Sequence, residues 1–423
     1  MNGQRKHDVV VIGGGPGGSS AATFLARAGL DVALVEREVF PRFHVGESLI
    51  PATLTVLEKL GVRDTIERRG FQIKYGARFT DQESDREHTF YFLPDRPWPV
   101  YSYQVPRAEF DTILLDHARK SGAHVYQPAS VTGVAFDSGG ATLAVEDGSL
   151  SSLRARFVVD ASGRDGFLAN RVGQRRRMPN LGKVALFAHF RGAARQPGRD
   201  EGNIQIHVFE DGWFWWIPFA GDVTSIGCVM HARTVRNRPG TVEALYADMI
   251  ARCSRVARGL AGAERVTPVH RVANFSYENH PVVGDRFLAV GDAVAFVDPI
   301  FSGGVHAALQ SGELAAQAIV AAFADDDFRA ARFASYERAV WHGLTPFFRL
   351  IHKYYDPSFI ALFVNPRNYF RMAEAVLTVL AGGAFLSFPW RLRAGMNLLF
   401  LLTKITAWSR RRAGLPVESR LEW

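Results

Sequence analysis

Residues 13–18 carry the first pattern with chemical meaning, a G-x-G-x-x-G arrangement of Gly13, Gly15 and Gly18. An apolar run at residues 8–12 precedes it, and a helix-like segment and a second apolar run ending at Glu36 follow. Glycines at this spacing let the backbone approach a pyrophosphate at a helix N-terminus, and the acidic residue accepts from ribose hydroxyls. The pattern predicts a dinucleotide site, and at this point both NAD and FAD remain open.

Lys74 is a second candidate for chemistry because it lies between apolar residues. Strand alternation places Phe71, Ile73 and Tyr75 on one face and Lys74 with Gln72 on the other. A lysine among apolar neighbours is costly to bury unless its amine has a partner. Two interpretations follow: a surface lysine on an edge strand, or a buried amine with a chemical role.

Residues 213–218 place three tryptophans and a phenylalanine in four positions and end at Pro218. Residues 203–230 read as three strands with turns at 210–212 and 220–222. Alternation then puts Trp213, Trp215 and Ile217 on one face, and Phe214 and Trp216 on the other. One stiff indole face is suited to walling off a cavity, and ordinary aromatic core is the alternative.

The composition narrows the class of protein. The 423 residues suffice for two or three domains, and the formal net charge of +8 favours acidic partners. No nucleic-acid motif accompanies that charge. Only Cys228 and Cys253 occur, which indicates a reducing compartment and offers no metal cluster. With neither a signal peptide nor a long apolar run, we expect a cytoplasmic protein without a metal site.

Three later segments favour FAD. Residues 103–111 contain Arg107, residues 157–166 contain Asp160, and residues 286–309 contain Gly291, Asp292 and Ser302. In their order and spacing these segments resemble the FAD-dependent aromatic hydroxylase superfamily. The resemblance implies that Gly291 and Asp292 hold the ribityl chain, and that the helix after Ser302 directs its N-terminus at the flavin.

Four further segments narrow the resemblance: residues 40–51, 70–79, 213–218 and 296–304. With Lys74 in an F-x-x-K-x-G context and a W-x-W-x-I-P motif, the chain is similar to the flavin-dependent halogenases, in the branch acting on phenols, pyrroles and carrier-bound substrates. The resemblance implies an α/β fold with an FAD-binding Rossmann-type, glutathione-reductase-like domain, an antiparallel β-sheet substrate domain and a helical C-terminal extension. The expected FAD-binding residues are Gly13, Gly15, Pro16, Gly17, Gly18, Glu36, Arg37, Arg42, Glu47, Ser48, Arg107, Val131, Asp160, Gly163, Gly291, Asp292, Gly303, Gly304 and Val305.

The same resemblance implies the activity. FAD reduced by a separate flavin reductase, O2 and chloride or bromide would halogenate an electron-rich aromatic substrate, with Lys74 as the catalytic residue. Trp213, Trp215, Ile217 and Pro218 would shield the substrate, and Ser302, Gly303 and Gly304 would bind halide. Gly303 departs from a family form with a second serine, which puts the strength of halide binding in doubt. The glutamate typical of the tryptophan-specific branch is not found, so free tryptophan is not expected as the substrate.

Other flavoenzyme activities stay open from sequence alone. A hydroxylase and a reductase of prenyl-chain double bonds, such as the geranylgeranyl reductases, are the alternatives. The reductases usually carry tyrosine and phenylalanine where this sequence has Trp213 and Ile217. A non-catalytic flavin scaffold is a third alternative, which Lys74 in its motif disfavours.

We predict a discontinuous FAD-binding domain (residues 1–80, 103–175 and 270–330), a β-sheet domain (81–102 and 176–269) and a helical region (331–423). Between Glu374 and Glu418 there is no acidic residue, while six basic residues occur: Arg391, Arg393, Lys404, Arg410, Arg411 and Arg412. The favoured interpretation is a helical cap on the sheet domain. A membrane-interface helix and a docking surface for an acidic acyl-carrier domain are the alternatives.

Several polar residues near these motifs have structural interpretations. His44 and His306 lie in backbone-shaping segments. Glu47 and Ser48 are candidates for capping the helix that starts near residue 49. Asp298 precedes a proline, which is typical of a turn.

Overall fold

Two eight-stranded sheets organise the chain. The computed structural model describes residues 5–146, 151–178, 181–238, 240–363, 371–386, 388–414 and 417. Its strands are β1 (Arg5–Ile12), β2 (Val32–Val35), β3 (Gln72–Lys74), β4 (Gly76–Asp81), β5 (Arg86–Tyr91), β6 (Ser102–Gln104), β7 (His124–Tyr126), β8 (Ser130–Asp137), β9 (Gly140–Glu146), β10 (Ser152–Asp160), β11 (Gln174–Arg177), β12 (Lys183–Arg191), β13 (Ile204–Phe209), β14 (Gly212–Pro218), β15 (Val223–His231), β16 (Glu264–Arg265), β17 (His270–Ala273), β18 (Tyr277–His280), β19 (Val283–Gly284), β20 (Phe287–Ala289) and β21 (Ala295–Phe296).

Helices cover both sheets and form most of the C-terminal region. They are α1 (Pro16–Arg27), α2 (Pro51–Leu60), α3 (Arg63–Arg69), α4 (Arg107–Lys120), α5 (Ala169–Val172), α6 (Ala232–Arg236), α7 (Val242–Arg252), α8 (Ser254–Gly259), α9 (Gly304–Asp325), α10 (Ala334–Tyr354), α11 (Pro357–Phe363), α12 (Met372–Leu380) and α13 (Trp390–Arg412).

The first sheet has the order β19-β20-β10-β1-β2-β7, with β9 and β8 continuing from β10. Strand β1 is parallel to both β10 and β2. Val9 and Val11 pack with α1 and α9 on one face, while Val10 packs under the β8–β9 hairpin on the other. Because both faces are covered, β1 is apolar throughout its second half. This arrangement confirms the predicted Rossmann-type domain.

The second sheet has the order β16-β12-β15-β14-β13-β4-β5, with β17 also on β12. Its neighbours are antiparallel except β13 and β4, which are parallel. Strands β13, β14 and β15 confirm the three predicted strands. Trp213, Trp215 and Ile217 share one buried cluster, and Phe214 and Trp216 share another beneath α7 and α8. The predicted alternation of the tryptophans is therefore confirmed.

Sheet pairing places some strands differently from the predicted domain boundaries. Strand β4 pairs with β13 and strand β17 with β12, so both belong to the second sheet. The predicted boundaries had assigned residues 76–80 and 270–273 to the FAD-binding part. The division into domains itself stays a prediction.

Helices α10 to α13 lie over the inner face of the second sheet. Tyr354, Phe363, Val379 and Leu399 from these helices share one apolar cluster with Trp213 of the sheet. This is the packing that the cap interpretation expects. Of the helices in the described ranges, α9 alone has the length and mean hydropathy of a candidate membrane span, and half of its most apolar window is buried in the protein.

Helices α1 and α9 pack closely enough to require glycine at their crossing. A Cβ atom at Gly312 would lie 2.7 Å from the Gly17 carbonyl oxygen and 2.9 Å from the Cβ of Ser20. The Ser20 hydroxyl donates to the Leu309 carbonyl at 2.9 Å, which fixes the register of the two helices. Since α1 follows the nucleotide loop and α9 follows Ser302, this crossing sets the distance between two predicted cofactor-binding segments.

We predict that Gly312→Val separates α1 from α9. The valine side chain meets backbone on α1, so overpacking should cost about 1–3 kcal/mol and lower FAD retention. Gln317→Val is the control, since Gln317 is exposed on the same helix. Thermal melting and the flavin-to-protein absorbance ratio measure both effects. Wild-type FAD content in Gly312→Val would contradict this account of the crossing.

Candidate functional site

A cavity of about 610 Å³ runs from the nucleotide loop to the second sheet. Most predicted cofactor residues line it. They are Gly13, Gly15, Pro16, Gly17, Glu36, Arg37, Arg42, Glu47, Ser48, Arg107, Val131, Gly163, Gly291, Asp292, Gly304 and Val305. Three others, Gly18, Asp160 and Gly303, do not line the cavity, but each is adjacent in sequence to a residue that does.

The nucleotide loop needs its glycines for close backbone approach. Gly13 has φ +103°, and a Cβ there would lie 2.4 Å from the Ala161 carbonyl oxygen. A Cβ at Gly18 would lie 1.9 Å from the Gly13 carbonyl oxygen. Glu36 accepts from the backbone N–H of Gly14 at 2.6 Å and of Glu38 at 2.8 Å. Each carboxylate oxygen keeps a lone pair for a further donor.

A buried ion pair holds the segment before Ser48. Arg107 donates to Asp111 through Nε at 2.7 Å and Nη2 at 2.9 Å, and its Nη1 donates to the carbonyls of Val45 and Gly46. Arg42 donates to the same carboxylate at 2.9 Å. Burial alone would raise the pKa of Asp111, but the two guanidinium groups hold it below its ordinary value. Arg107 therefore shapes the cavity wall as well as lining it.

Asp160 organises the turn that follows β10. Its carboxylate accepts from the Ser162 N–H at 3.0 Å, the Ser162 hydroxyl at 2.6 Å and the Leu168 N–H at 2.7 Å. Burial raises the pKa of Asp160. The turn brings Gly163 to the cavity wall.

The polar groups of the cavity fit FAD. The N-termini of α1 and α9 both begin at residues of the cavity wall, and helix N-termini favour anionic or electron-rich groups. Glu47 Oε2 is buried without a hydrogen-bond partner among the described residues, although Glu47 Oε1 accepts from His189 Nε2 at 2.8 Å. A cofactor donor at this point would satisfy the orphaned oxygen.

A second, much smaller cavity of about 20 Å³ lies beside Lys74. Ile204, Ile206 and Ser302 line both cavities and therefore form the wall between them. The remaining lining of the small cavity is mostly apolar and comprises Ile50, Ala77, Phe79, Phe90, Phe92, Ile300, Phe301, Leu377 and Leu380. Its volume is about that of a single water molecule.

Lys74 is only 2% exposed, so the interpretation as a surface lysine is wrong. Its Nζ donates to the Ser48 hydroxyl at 2.7 Å and lies 5.6 Å from the centre of the Phe92 ring. Burial lowers the pKa of Lys74 to about 7. The amine therefore lies at the small cavity, and with this pKa both its ammonium and its neutral form are populated near neutral pH.

The tryptophans face the large cavity. Trp213, Trp215 and Ile217 line it, whereas Pro218 ends the strand behind it. The Trp215 indole lies over Gly227, where a Cβ would come within 2.1 Å of the ring, and its Nε1 donates to Ser225 at 3.1 Å. Gly227 therefore provides the space that Trp215 occupies.

A buried hydrogen-bond chain connects the tryptophan strand with the C-terminal region. Trp213 Nε1 donates to the Tyr355 hydroxyl at 3.1 Å, and that hydroxyl donates to Asp298 Oδ2 at 2.6 Å. Asp298 Oδ1 accepts from the Ile300 N–H at 3.0 Å, which confirms the predicted turn. Burial raises the pKa of Asp298 to about 6. The turn places Ser302 two residues after Ile300.

Ser302 and Gly304 line the large cavity at the start of α9. Ser302 has φ +56°, a left-handed conformation that turns the following backbone N–H groups toward the same side of the chain. A Cβ at Gly303 would lie 2.9 Å from the Phe347 ring. Phe347 therefore occupies the space that a serine at position 303 would need, which explains this departure from the family pattern.

Sequence reasoning missed several residues of the site and misread others. No motif contains Ile204, Ile206, His189, Phe347 or Tyr355, and the last two lie in or directly after α10, far along the chain. Glu47 and Ser48 do not cap α2, whose N-cap is Ile50 without a side-chain hydrogen bond. The structural interpretation of the two histidines agrees with their burial, which lowers the pKa of both His44 and His306 to about 4.

Known proteins support the same assignment. The model of the FAD binding domain family matches residues 6–339. A chlorinase from Pseudomonas fluorescens, which acts on 1H-pyrrole-2-carbonyl groups on the peptidyl-carrier protein, is 36% identical over 388 residues, covering 85% of this chain and 86% of that protein. A tryptophan 2-halogenase from Chondromyces crocatus is 33% identical over 339 residues, covering 78% of this chain and 64% of that protein.

Solved structures give the same result. The myxobacterial chondrochloren halogenase superposes with a TM-score of 0.80 at 32% identity, covering 94% of this chain and 97% of that chain. A flavin-dependent brominase superposes with a TM-score of 0.84 at 28% identity, covering 96% of this chain and all of that chain. These matches confirm the resemblance drawn from the motifs and the FAD cofactor. The chain belongs to the flavin-dependent halogenase family.

Proposed function

We propose that this halogenase acts on an electron-rich aromatic acyl group, pyrrolic or phenolic, carried as a thioester on a carrier protein. The single observation that supports the chemistry is the buried Lys74 amine in a small cavity, separated from the cofactor cavity by Ile204, Ile206 and Ser302. The Pseudomonas fluorescens chlorinase, which is named for a carrier-bound pyrrole, supports the substrate class.

Two cavities suit a reaction in two stages. When bound, FAD in its reduced form supplies the first: with O2 and a hydrogen halide it yields oxidised FAD, hypohalous acid and water. In the second stage, hypohalous acid replaces an aromatic hydrogen by halogen and releases water. The shared wall allows the small oxidant to pass while keeping a ring away from the flavin, so that direct hydroxylation is suppressed.

Lys74 acts in the second stage. As an ammonium it donates a hydrogen bond to the hypohalous oxygen, which polarises the oxygen–halogen bond and makes the halogen more electrophilic. The Ser48 hydroxyl holds the amine in place at 2.7 Å. As a neutral amine Lys74 would instead attack the halogen and form an N-halo species with loss of hydroxide, and the pH dependence separates these two forms.

Backbone N–H groups at the start of α9 form the halide site. A halide has no hydrogen-bonding direction of its own, so a concave row of N–H groups after Ser302 suits it. Gly303 contributes its N–H without a hydroxyl. Chloride and bromide are both accommodated by this donor set.

The aromatic side chains on the inner face of the second sheet keep the substrate from the cofactor. Trp215 is the cross-strand partner of Ile206, which belongs to both cavities. We propose that Trp213, Trp215 and Ile217 hold that wall in place and that Pro218 ends it. In this arrangement the tryptophans face the flavin side, and the isoleucines form the boundary itself.

A separate flavin reductase and a cytoplasmic location complete the proposal. One dinucleotide loop is present in the sequence, at residues 13–18, which FAD occupies. Both cysteines are free and buried, which suits a reducing compartment.

Reduced FAD, O2 and chloride or bromide should convert the carrier-bound pyrrole-2-carbonyl group to a halogenated product, scored by intact-protein mass spectrometry. Free tryptophan should not react, because the glutamate typical of the tryptophan-specific branch is not found in this sequence. NADPH without a reductase should not bleach the bound flavin. Rapid bleaching by NADPH, with a hydroxylated product, would contradict the proposal and favour a hydroxylase.

Lys74→Ala and Lys74→Met should lower halogenation by about a hundredfold or more, while flavin oxidation by O2 continues. Lys74→Met should not lower the melting temperature, because it removes an amine that is costly to bury. In the wild type the ammonium form loses its proton as the pH rises above the pKa of about 7, so the halogenation rate should fall as the pH rises through 7. A rate that rises through the same pH range would identify the neutral amine as the reacting form.

Trp215→Phe should lower halogenated product per flavin oxidised and raise hydrogen peroxide. Trp216→Phe is the matched control, because it removes the same atoms from the neighbouring position but packs on the opposite face of the sheet. Each variant should lose roughly 1–3 kcal/mol of stability. Equal product ratios in the two variants, with equal losses of stability, would reduce the tryptophan motif to a packing role.

A further inference from the structure

Helix α13 presents an apolar line to the outside of the protein. Leu401, Ile405 and Trp408 are each more than half exposed, and Trp390 is 71% exposed. Positions 401, 405 and 408 are spaced by four and three residues, which places them along one face of the helix. Position 390 lies about three turns earlier on the same face. Large apolar side chains grouped in this way mark contact surfaces more often than scattered ones do.

The opposite face of α13 holds the helix on the protein. Leu392, Met396, Leu399 and Phe400 are buried in the cluster that also contains Val379 of α12. The exposed line is therefore additional to the packing face, and among the described residues nothing covers it.

Positive charge borders the apolar line. Lys404, Arg411 and Arg412 are exposed, and the Arg412 guanidinium lies 3.8 Å from the centre of the Trp408 ring. Within the described ranges, no carboxylate forms an ion pair with any of these three side chains. We define the α13 stripe as Leu401, Lys404, Ile405, Trp408, Arg411 and Arg412. Its combination of aromatic, aliphatic and basic side chains is complementary to an acidic partner with an apolar centre.

The α13 stripe lies close to the small cavity. Helix α12 packs against α13, and Leu377 and Leu380 of α12 line the cavity beside Lys74. The axes of packed helices lie about 8–10 Å apart and a helix is about 10–12 Å across, so the outer face of α13 is roughly 20 Å from the wall that α12 contributes to the cavity. An acyl group presented on a flexible arm could span that distance from a partner seated on the stripe.

We propose that the α13 stripe is the docking surface for the acidic carrier domain that presents the acyl substrate. This inference rests on the proposed function. The negative charge of an acidic carrier matches the basic border of the stripe, and the acyl group that the carrier bears matches the position of the stripe on the helices around Lys74. The positive border steers the acidic domain, and Trp408 with its two aliphatic neighbours supplies the apolar contact. A membrane of anionic lipid and a second copy of this chain are the other occupants that the experiment distinguishes.

The experiment uses FAD-loaded enzyme and a peptidyl-carrier protein loaded with 1H-pyrrole-2-carbonyl. Binding is measured by fluorescence titration, and turnover is measured for that carrier and for the same acyl group on pantetheine alone. The test variant is Lys404→Glu/Arg411→Glu/Arg412→Glu. The matched control is Arg68→Glu/Lys120→Glu/Arg236→Glu, which makes the same charge change at exposed positions on α3, α4 and α6.

The stripe variant should weaken carrier binding by about tenfold or more, with a matching rise in KM, unchanged kcat and unchanged turnover of the pantetheine thioester. The control variant should match the wild type. Trp408→Ala should weaken binding similarly without changing charge. Melting temperature and FAD content confirm that each variant is folded.

Equal carrier binding by wild type and stripe variant would overturn the proposal, even where both thioesters are halogenated and the proposed function holds. A third outcome is that the wild type binds the carrier and the stripe variant does not, while neither thioester is halogenated. That result would support docking and contradict the proposed substrate. Wild-type enzyme that ignores the carrier but binds phosphatidylglycerol vesicles through the stripe would assign the surface to a membrane. A dimer that the stripe variant dissociates would assign it to a second copy, and either result overturns carrier docking.

Discussion

Burial of the Lys74 amine is the constraint on which the rest of the site depends. An amine in an apolar cavity loses its hydration, and here it keeps one hydrogen bond to Ser48 and the face of Phe92. Ser48 follows the Val45–Gly46 backbone, which Arg107 holds through its pair with Asp111. The position of the Lys74 amine therefore depends on a buried ion pair in the wall of the cofactor cavity. Binding of cofactor and placement of the lysine use the same segment.

The second sheet contributes residues that separate the large cavity from the small cavity beside Lys74. Phe79, Ile206, Trp215 and Gly227 form one cross-strand row through the registers of β4, β13, β14 and β15. Phe79 lines the small cavity, Ile206 lines both cavities and Trp215 lines the large one. Because the row lies on one face of the sheet, strand pairing holds Ile206 in place, while Ser302 joins the wall from the segment before α9. Gly227 is needed at the end of the row, since any side chain there would displace the indole.

Much of the fold and of the candidate site could be predicted from patterns of residues that are adjacent in sequence. The nucleotide loop, the alternating tryptophans and the Asp298 turn are local, so period and glycine spacing sufficed. Lys74 was identified, but its burial was not decided, because the groups around it include Ile204 and Ile206 of β13 and Leu377 and Leu380 of α12, all more than 100 residues later in the chain. Ile204 and Ile206 look like ordinary strand residues, and only the register shows that they separate two cavities. Tyr355 and Phe347 lie beyond every motif, and their contacts with Trp213 and Gly303 arise from tertiary packing.

The C-terminal region therefore contributes directly to the candidate site. Phe347 packs on Gly303, Tyr355 joins the tryptophan strand to Asp298, and Leu377 and Leu380 line the cavity beside Lys74. An aromatic ring does not fit in about 20 Å³, so under the proposed function a substrate beside Lys74 would displace side chains that line this cavity, Leu377 and Leu380 among them. The free energy for that displacement has to come from contacts remote from the reacting ring. The acyl group and its pantetheine arm are the same in the carrier-bound and the free thioester, so their contacts with these helices would contribute in both, and docking on α13 would add only the affinity that brings the arm there.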